Sequence, residues 1–184
     1  MRIIAGKFRG RILHPPKGLP VRPTTDLAKE SLFNILNNRI DFETVRVLDL
    51  FAGTGNISLE FASRGATEVV AIDQNAKCVE FIRKSSLDMG FNDLFTIRGN
   101  VFGYLKTSSG KFDIIFADPP YDLQETITIP DLIFGHSLLE SDGWLVIEHD
   151  AFKSFVSHAN FVEERRYGKV HFSFFRVTGN FSEA

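Results

Sequence analysis

The apolar run Val47-Leu48-Asp49-Leu50 breaks at the turn Phe51-Ala52-Gly53-Thr54-Gly55, and Ile57, Leu59, Phe61 and Ala62 follow among polar residues. This order of strand, glycine-rich turn and helix constrains the fold more than any other part of the chain. Glycines there let the backbone turn tightly and approach a ligand closely. A second apolar run, Val69-Val70-Ala71-Ile72, ends in Asp73, 18 residues after Gly55. A carboxylate at that distance is placed to bind the ribose hydroxyls of an adenosine-containing ligand. The alternation continues along the chain, as a doubly wound α/β fold requires. Strands are expected near 45–50, 68–72, 94–98, 112–117 and 143–148, and helices near 56–64, 75–89, 101–106 and 125–139. The tail differs, because two stretches with strand patterning, 161–167 and 169–177, flank Gly168 and predict an antiparallel hairpin.

The fourth strand, Phe112-Asp113-Ile114-Ile115-Phe116-Ala117, runs into Asp118-Pro119-Pro120-Tyr121. Two prolines cannot continue a ladder, since each lacks the N–H and fixes φ. The strand must stop at Asp118, which leaves a carboxylate, a stiff turn and an aromatic ring at its carboxyl end. In open α/β sheets that edge is where ligands bind. A hydrogen-bond acceptor beside a flat ring suits a planar substrate carrying an amino group. Glu148 and His149, at the end of the fifth strand, border the same edge and are expected to be structural.

Charge narrows the choice of ligand. A dinucleotide site offers a helix N-terminus to a pyrophosphate, and an acidic residue at the turn repels it. Asp49 stands just before the glycines, the third fingerprint position is Ser58, and no Lys or Arg lies between Asp49 and Arg64. Such a pocket disfavours two phosphates and suits a cation. S-adenosylmethionine carries a sulfonium and an ammonium, and its ribose pairs with Asp73.

The chain of 184 residues fits one domain with a sizeable core. No apolar run is long enough to span a bilayer and no secretory pattern is present, so a cytoplasmic protein is expected. The single Cys78 and the scattered His14, His136, His149, His158 and His171 show no metal spacing, and no metal is expected. The net charge of −2 is unevenly spread. Residues 1–29 carry seven basic side chains against Asp26 alone, a net +6, which leaves −8 in the remainder. A basic arm on an acidic domain is the footprint of a nucleic-acid binder. The arm reads as a short hairpin turning near Gly6 or Gly10, and Pro15-Pro16-Lys17-Gly18-Leu19-Pro20 follows as a stiff linker. A helix over 26–38, capped by Thr24 or Thr25, comes next.

These motifs together resemble the bacterial small-subunit ribosomal RNA guanine-N2 methyltransferases (RsmD-like), a family of class I S-adenosylmethionine-dependent enzymes. The resemblance covers most of the chain. It includes Met1-Arg2-Ile3-Ile4-Ala5-Gly6 with Arg9-Gly10-Arg11, then Arg22-Pro23-Thr24, Glu30-Ser31-Leu32-Phe33-Asn34-Ile35-Leu36, the glycine-rich turn, Ser63-Arg64-Gly65-Ala66 and Asp118-Pro119-Pro120-Tyr121. The last motif marks amine-directed methyltransferases broadly, and the N-terminal arm is the part specific to this family. Lys29 stands where the family often has Arg.

The resemblance implies a Rossmann-like α/β fold with a mostly parallel seven-stranded sheet, an antiparallel C-terminal hairpin and a basic N-terminal β-hairpin extension. The division implied is an RNA-contacting extension over 1–25 and a methyltransferase domain over 26–184. It implies cofactor contacts from Asp49, Phe51, Ala52, Gly53, Thr54, Gly55, Asp73, Gln74, Asn100, Val101 and Asp118. RNA contacts would come from Arg2, Lys7, Arg9, Arg11, Arg22 and Lys29. Asp118 and the Pro119 carbonyl would take the two N–H bonds of a guanine amine, on the stiff turn completed by Pro120, with Tyr121 stacked on the base. The substrate implied is small-subunit ribosomal RNA or an assembling small subunit, met by a monomer. Two other readings fit the residues: a DNA adenine-N6 or cytosine-N4 methyltransferase, and a non-catalytic RNA-binding module that keeps a cofactor fold.

Overall fold

The computed structural model describes residues 1–19 and 26–177. Its centre is a seven-stranded sheet built from β1 (Arg46–Leu50), β2 (Glu68–Asp73), β3 (Leu94–Arg98), β4 (Phe112–Ala117), β5 (Leu139–His149), β6 (Phe161–Tyr167) and β7 (Val170–Arg176). The order is β3-β2-β1-β4-β5-β7-β6. The first five strands run parallel, and β7 pairs antiparallel with both β5 and β6. The chain winds outward from β1 to β3 and then crosses back to β4 on the other side of β1. The carboxyl ends of β1 and β4 lie side by side, and the connections that leave them run to opposite sides, which is the topological switch point where doubly wound sheets open a crevice.

Both faces of the central strands are covered, which is why β1, β2 and β4 are buried at successive positions and not at alternate ones, whereas the edge strand β3 is largely uncovered. Val47, Ile114, Phe116, Val146, Phe172 and Phe174 face one core, with α1 (Asp26–Leu36), α2 (Ser58–Ser63) and α3 (Ala76–Met89). Leu48, Ile115, Ala117, Leu145, Ile147 and Phe175 face the other, with α4 (Val101–Thr107) and α5 (Ile129–Gly135). In the first core Phe33, Phe42 and Phe61 form a ring cluster, and the Arg64 guanidinium lies 4.4 Å from the Phe33 centroid. Each such buried ring contributes about 1.5–3 kcal/mol.

The helix expected over 125–139 is broken. A 3-10 turn over Gln124–Thr128 leads into the short α5, and β5 begins already at Leu139. Pro130 explains the restart, since a residue without an N–H is tolerated in the first helical turn and not within a helix. Ser137, at φ 52, then turns the chain into the strand. Thr24, Thr25 and part of the Pro15–Pro20 linker lie outside the described residues.

The arm has the register of a hairpin but only one bridge, Arg2 to Ile12, and no regular strands. Backbone bonds cross it from Ile3 to Arg11, Gly10 to Ile3 and Leu13 to Met1, and others run to α2. The Ile4 and Ala5 N–H groups donate to the two Glu60 carboxylate oxygens at 2.8 and 3.0 Å, and the Lys7 N–H donates to the Ser63 carbonyl at 2.7 Å. Gly6 makes that approach possible. It sits at φ +77, and a Cβ there would lie 1.8 Å from the Ser63 oxygen. Ile3, fully buried, belongs to the first core.

Candidate functional site

The crevice at the switch point is a cavity of about 630 Å³, within the usual range for small-molecule sites. Its near wall is the turn after β1. Phe51 and Gly53 both take positive φ, 61° and 54°, and the Ala52 N–H is held by the Ile72 carbonyl at the end of β2. Asp73 fixes the turn from the next strand. One of its oxygens accepts from the Gly53 N–H at 2.8 Å, and the other accepts from the Asn75 N–H at 2.7 Å. The carboxylate at the end of β2 is thus oriented before any ligand arrives.

Asp49 lies deeper, at 1% exposure, and accepts from the Ser58 N–H at 3.0 Å and from the Ser58 hydroxyl. Burial pushes its carboxyl up to about 7, against the pull of the two Ser58 hydrogen bonds. Gly55 does not line the cavity. A Cβ at that position would lie 2.7 Å from the Ile82 side chain, so this glycine serves the packing of the turn on α3. Asn100 does line it, but its carbonyl oxygen already accepts from the Gly103 N–H at 2.9 Å as the N-cap of α4.

The far wall is the end of β4. The Asp118 N–H donates to the Leu50 carbonyl at 3.3 Å, which continues the β1–β4 pairing to the rim of the cavity. Pro119 is buried, Pro120 is exposed, and the Leu123 N–H closes the turn on the Pro120 carbonyl at 3.0 Å. Tyr121 is half-buried, and Lys153 donates to its backbone carbonyl. Asp118, Pro119, Pro120 and Tyr121 all line the cavity together with Phe51, Ala52, Gly53, Thr54, Asp73, Gln74 and Val101. Asp49 and Glu148 join them, so four carboxyl groups face one cavity, and its described lining holds no Lys, Arg or His.

Of the residues expected to meet RNA, Lys7, Arg9 and Arg11 are exposed on the arm, and Lys7 and Arg11 flank the Phe8 ring. Arg2 is half-exposed and lies 3.7 Å from Asp26. Arg22 falls outside the described residues. Lys29 has to be corrected. Its side chain is fully buried, with Nζ 3.1 Å from Glu60, 2.7 Å from the Arg2 carbonyl and 2.9 Å from the Asn56 amide oxygen. Every ammonium hydrogen has an acceptor inside the protein, so no phosphate can reach it. Lys29 belongs to a basic segment of the sequence, but α1 turns it inward beside Ala28, Leu32 and Phe33. Burial lowers its pKa, and the Glu60 carboxylate opposes that shift.

Two groups escaped the sequence reading. Asn56 directly follows the glycine-rich turn and both lines the cavity and holds Lys29, so it joins the cavity wall to the arm. His149, Glu164 and His171 come from three strands and bring ligand-type atoms within 4.8 Å of one another. The His149 Nδ1–H donates to the Asp150 carbonyl at 2.7 Å, which leaves Nε2 to accept from the Ser173 hydroxyl at 2.8 Å. Glu164 lies 3.2 Å from His171 and 2.5 Å from the Arg166 guanidinium. With each group engaged, this is a polar network. It lies on the face of β5 opposite Glu148, and burial keeps His149 below its usual pKa.

The chain matches the family model described as "Conserved hypothetical protein 95" over residues 1–176. It is 35% identical over 155 residues to the Bacillus subtilis protein YlbH, covering 82% of this chain and 83% of that protein. To the ribosomal RNA small subunit methyltransferase D of Escherichia coli it is 34% identical over 151 residues, covering 80% of this chain and 71% of the relative. The solved structure of Escherichia coli yhhF superposes with a TM-score of 0.81 at 30% identity, over 95% of this chain and 96% of the other.

Proposed function

The chain belongs to the Conserved hypothetical protein 95 family, and from that premise we propose that it transfers a methyl group from S-adenosylmethionine to the exocyclic N2 amine of a guanine in small-subunit ribosomal RNA. One observation carries the reading. A cavity at the switch point, faced by four carboxyl groups and no cationic side chain among its described lining, opens directly onto Asp118-Pro119-Pro120-Tyr121. A pyrophosphate would be repelled there, and a ligand with two positive centres and a ribose would be held.

The residues present fit that cofactor. Asp73, already oriented by two backbone N–H groups, keeps lone pairs for ribose hydroxyls. Asp49 offers a buried negative charge to the ammonium. Gln74, Asn100 and Val101 border the space left for the adenine. When bound, S-adenosylmethionine supplies an electrophilic methyl group on a cationic sulfur.

The chain supplies the rest. A guanine amine is a poor nucleophile, because its lone pair is delocalised into the ring. Asp118 and the Pro119 carbonyl accept its two N–H bonds, favour the tetrahedral nitrogen and stabilise the charge that develops. The sulfur–methyl bond would break as the nitrogen–methyl bond forms, and the acidic product ammonium would lose one proton to water. The rigid Pro119-Pro120 pair holds both acceptors in place, and Tyr121 stacks on the base turned out of the RNA. Holding amine and methyl in line provides much of the remaining rate enhancement. Ribosomal RNA as substrate is supported by the similarity to the Escherichia coli ribosomal RNA small subunit methyltransferase D and by the exposed arginines of the arm.

Asp118→Ala is the direct test of this site. Transfer of label from S-adenosylmethionine to ribosomal RNA should fall by at least a thousandfold, about 4 kcal/mol of transition-state stabilisation. Cofactor affinity by calorimetry should fall far less, since Asp49, Asp73 and Glu148 still face the cavity. Full activity in that variant would remove Asp118 from the mechanism.

A further inference from the structure

A second groove, of about 640 Å³, runs between arm residues 11–16 and the outer face of α3. It starts at Ala76 and Lys77, next to Gln74 and Asn75 of the cofactor cavity, so the two depressions adjoin. Its chemistry is the opposite of the cavity's. The floor is apolar, with Ile12 at 60% exposure and a half-buried Phe81 that stacks on no other ring among the described pairs. Arg11, Lys77 and Lys84 stand on its rim, and none of them belongs to a described ion pair. The carboxylate of Glu80 is taken up by Arg83 at 2.9 Å, which leaves Asp88 as the one opposing charge on the rim.

We infer that this groove holds a single-stranded stretch of the RNA, with one unstacked base against Phe81 and Ile12 and its flanking phosphates on Lys77 and Lys84. The inference rests on the RNA reading above and extends it to a surface outside the active site and the arm tip. The spacing supports it. Lys77 and Lys84 are two helical turns apart on one face of α3, about 10.5 Å along the axis. A half-buried aromatic ring between two exposed cations is an arrangement that suits single strands, stacking on the base and pairing with the backbone. An acidic peptide would satisfy the lysines but gain nothing from the ring.

The test uses the full chain and a short single-stranded RNA oligonucleotide, with binding followed by anisotropy across a salt series. Lys77→Gln/Lys84→Gln should make the log–log salt slope shallower by about 1.4, two phosphates at about 0.7 each for single strands. In methyl transfer it should raise the KM for ribosomal RNA, with kcat and cofactor affinity unchanged. Phe81→Ser should weaken oligonucleotide binding about tenfold at fixed salt while leaving the slope alone. Polyglutamate should bind wild type and Phe81→Ser alike. An unchanged slope in the lysine variant, while Lys7→Gln/Arg9→Gln at the arm tip is impaired, would overturn the groove and leave the RNA reading standing. A Phe81→Ser variant with wild-type RNA affinity would turn the groove into a plain anionic surface and overturn the base site. Failure of the wild type to bind or methylate RNA would overturn both.

Discussion

Replacing Glu60 by glutamine should destabilise the chain far more than replacing Lys29 by methionine, although the two side chains face each other in one ion pair. Both are fully buried, with Nζ and Oε2 3.1 Å apart. Glu60 has other partners: Arg64 Nε at 3.0 Å and the Ile4 and Ala5 N–H groups at 2.8 and 3.0 Å. Lys29→Met therefore leaves a carboxylate that is still neutralised, and it takes one donor each from the Arg2 carbonyl and the Asn56 amide oxygen, for about 1–2 kcal/mol. Glu60→Gln leaves a buried ammonium without a counter-ion, for about 3–5 kcal/mol.

The double variant removes both charges and should lose less than the two single losses added together. Urea unfolding at neutral pH measures all four proteins. With a slope of about 2 kcal/mol/M, the midpoint should drop by about 2 M for Glu60→Gln and by under about 1 M for Lys29→Met. The deficit of Glu60→Gln should also shrink as pH rises, because burial already lowers the Lys29 pKa and the folded state then sheds its proton before the unfolded state does. Equal losses in the single variants, or strict additivity, would refute this account of the arm's attachment.

Asp49 predicts a second pH dependence. Its folded pKa is raised to about 7 from 3.8, so the ligand-free folded state binds more protons than the unfolded state across that window. The associated stability, about 4 kcal/mol, is fully present below 3.8 and lost as pH rises through 7. Asp49→Asn should flatten that part of the stability profile, as read by thermal unfolding across pH. A cation bound at Asp49 favours the ionised form, so affinity for S-adenosylmethionine should climb from pH 6 to 7 and level off above, and calorimetry should find this rise missing in Asp49→Asn. Arg9→Gln/Arg11→Gln should weaken RNA binding and make its salt slope shallower by about 1.4–1.8. An unchanged slope would take the arm out of phosphate contact.

The central strands were readable because a parallel sheet covered on both faces demands near-continuous apolar runs, and those at 46–50, 68–73 and 112–117 stand out between polar stretches. The candidate site was readable for a related reason. Chain-reversing residues such as Gly53 and Pro119 mark the carboxyl ends of β1 and β4, and these are the ends the switch point brings together. What stayed hidden depended on side-chain direction across long separations. Nothing local to Lys29 shows that it meets Glu60, and Asp26, one turn away on the same helix, is exposed. His149, Glu164 and His171 are 15 and 7 residues apart, a spacing that means nothing until β5, β7 and β6 are set side by side. The break before α5 was visible as Pro130 but was outweighed by the apolar pattern around it.

The central claim is a particular bond formed on a particular nitrogen, and nucleoside analysis of the product tests it most directly. Ribosomal RNA from cells lacking this protein, as free RNA and as partly assembled small subunits, would be incubated with labelled S-adenosylmethionine beside duplex DNA. The account predicts label in N2-methylguanosine of the small-subunit RNA, abolished by Asp118→Ala. Label confined to adenine or cytosine amines of the DNA, or no transfer to any form of the RNA despite cofactor binding, would contradict it.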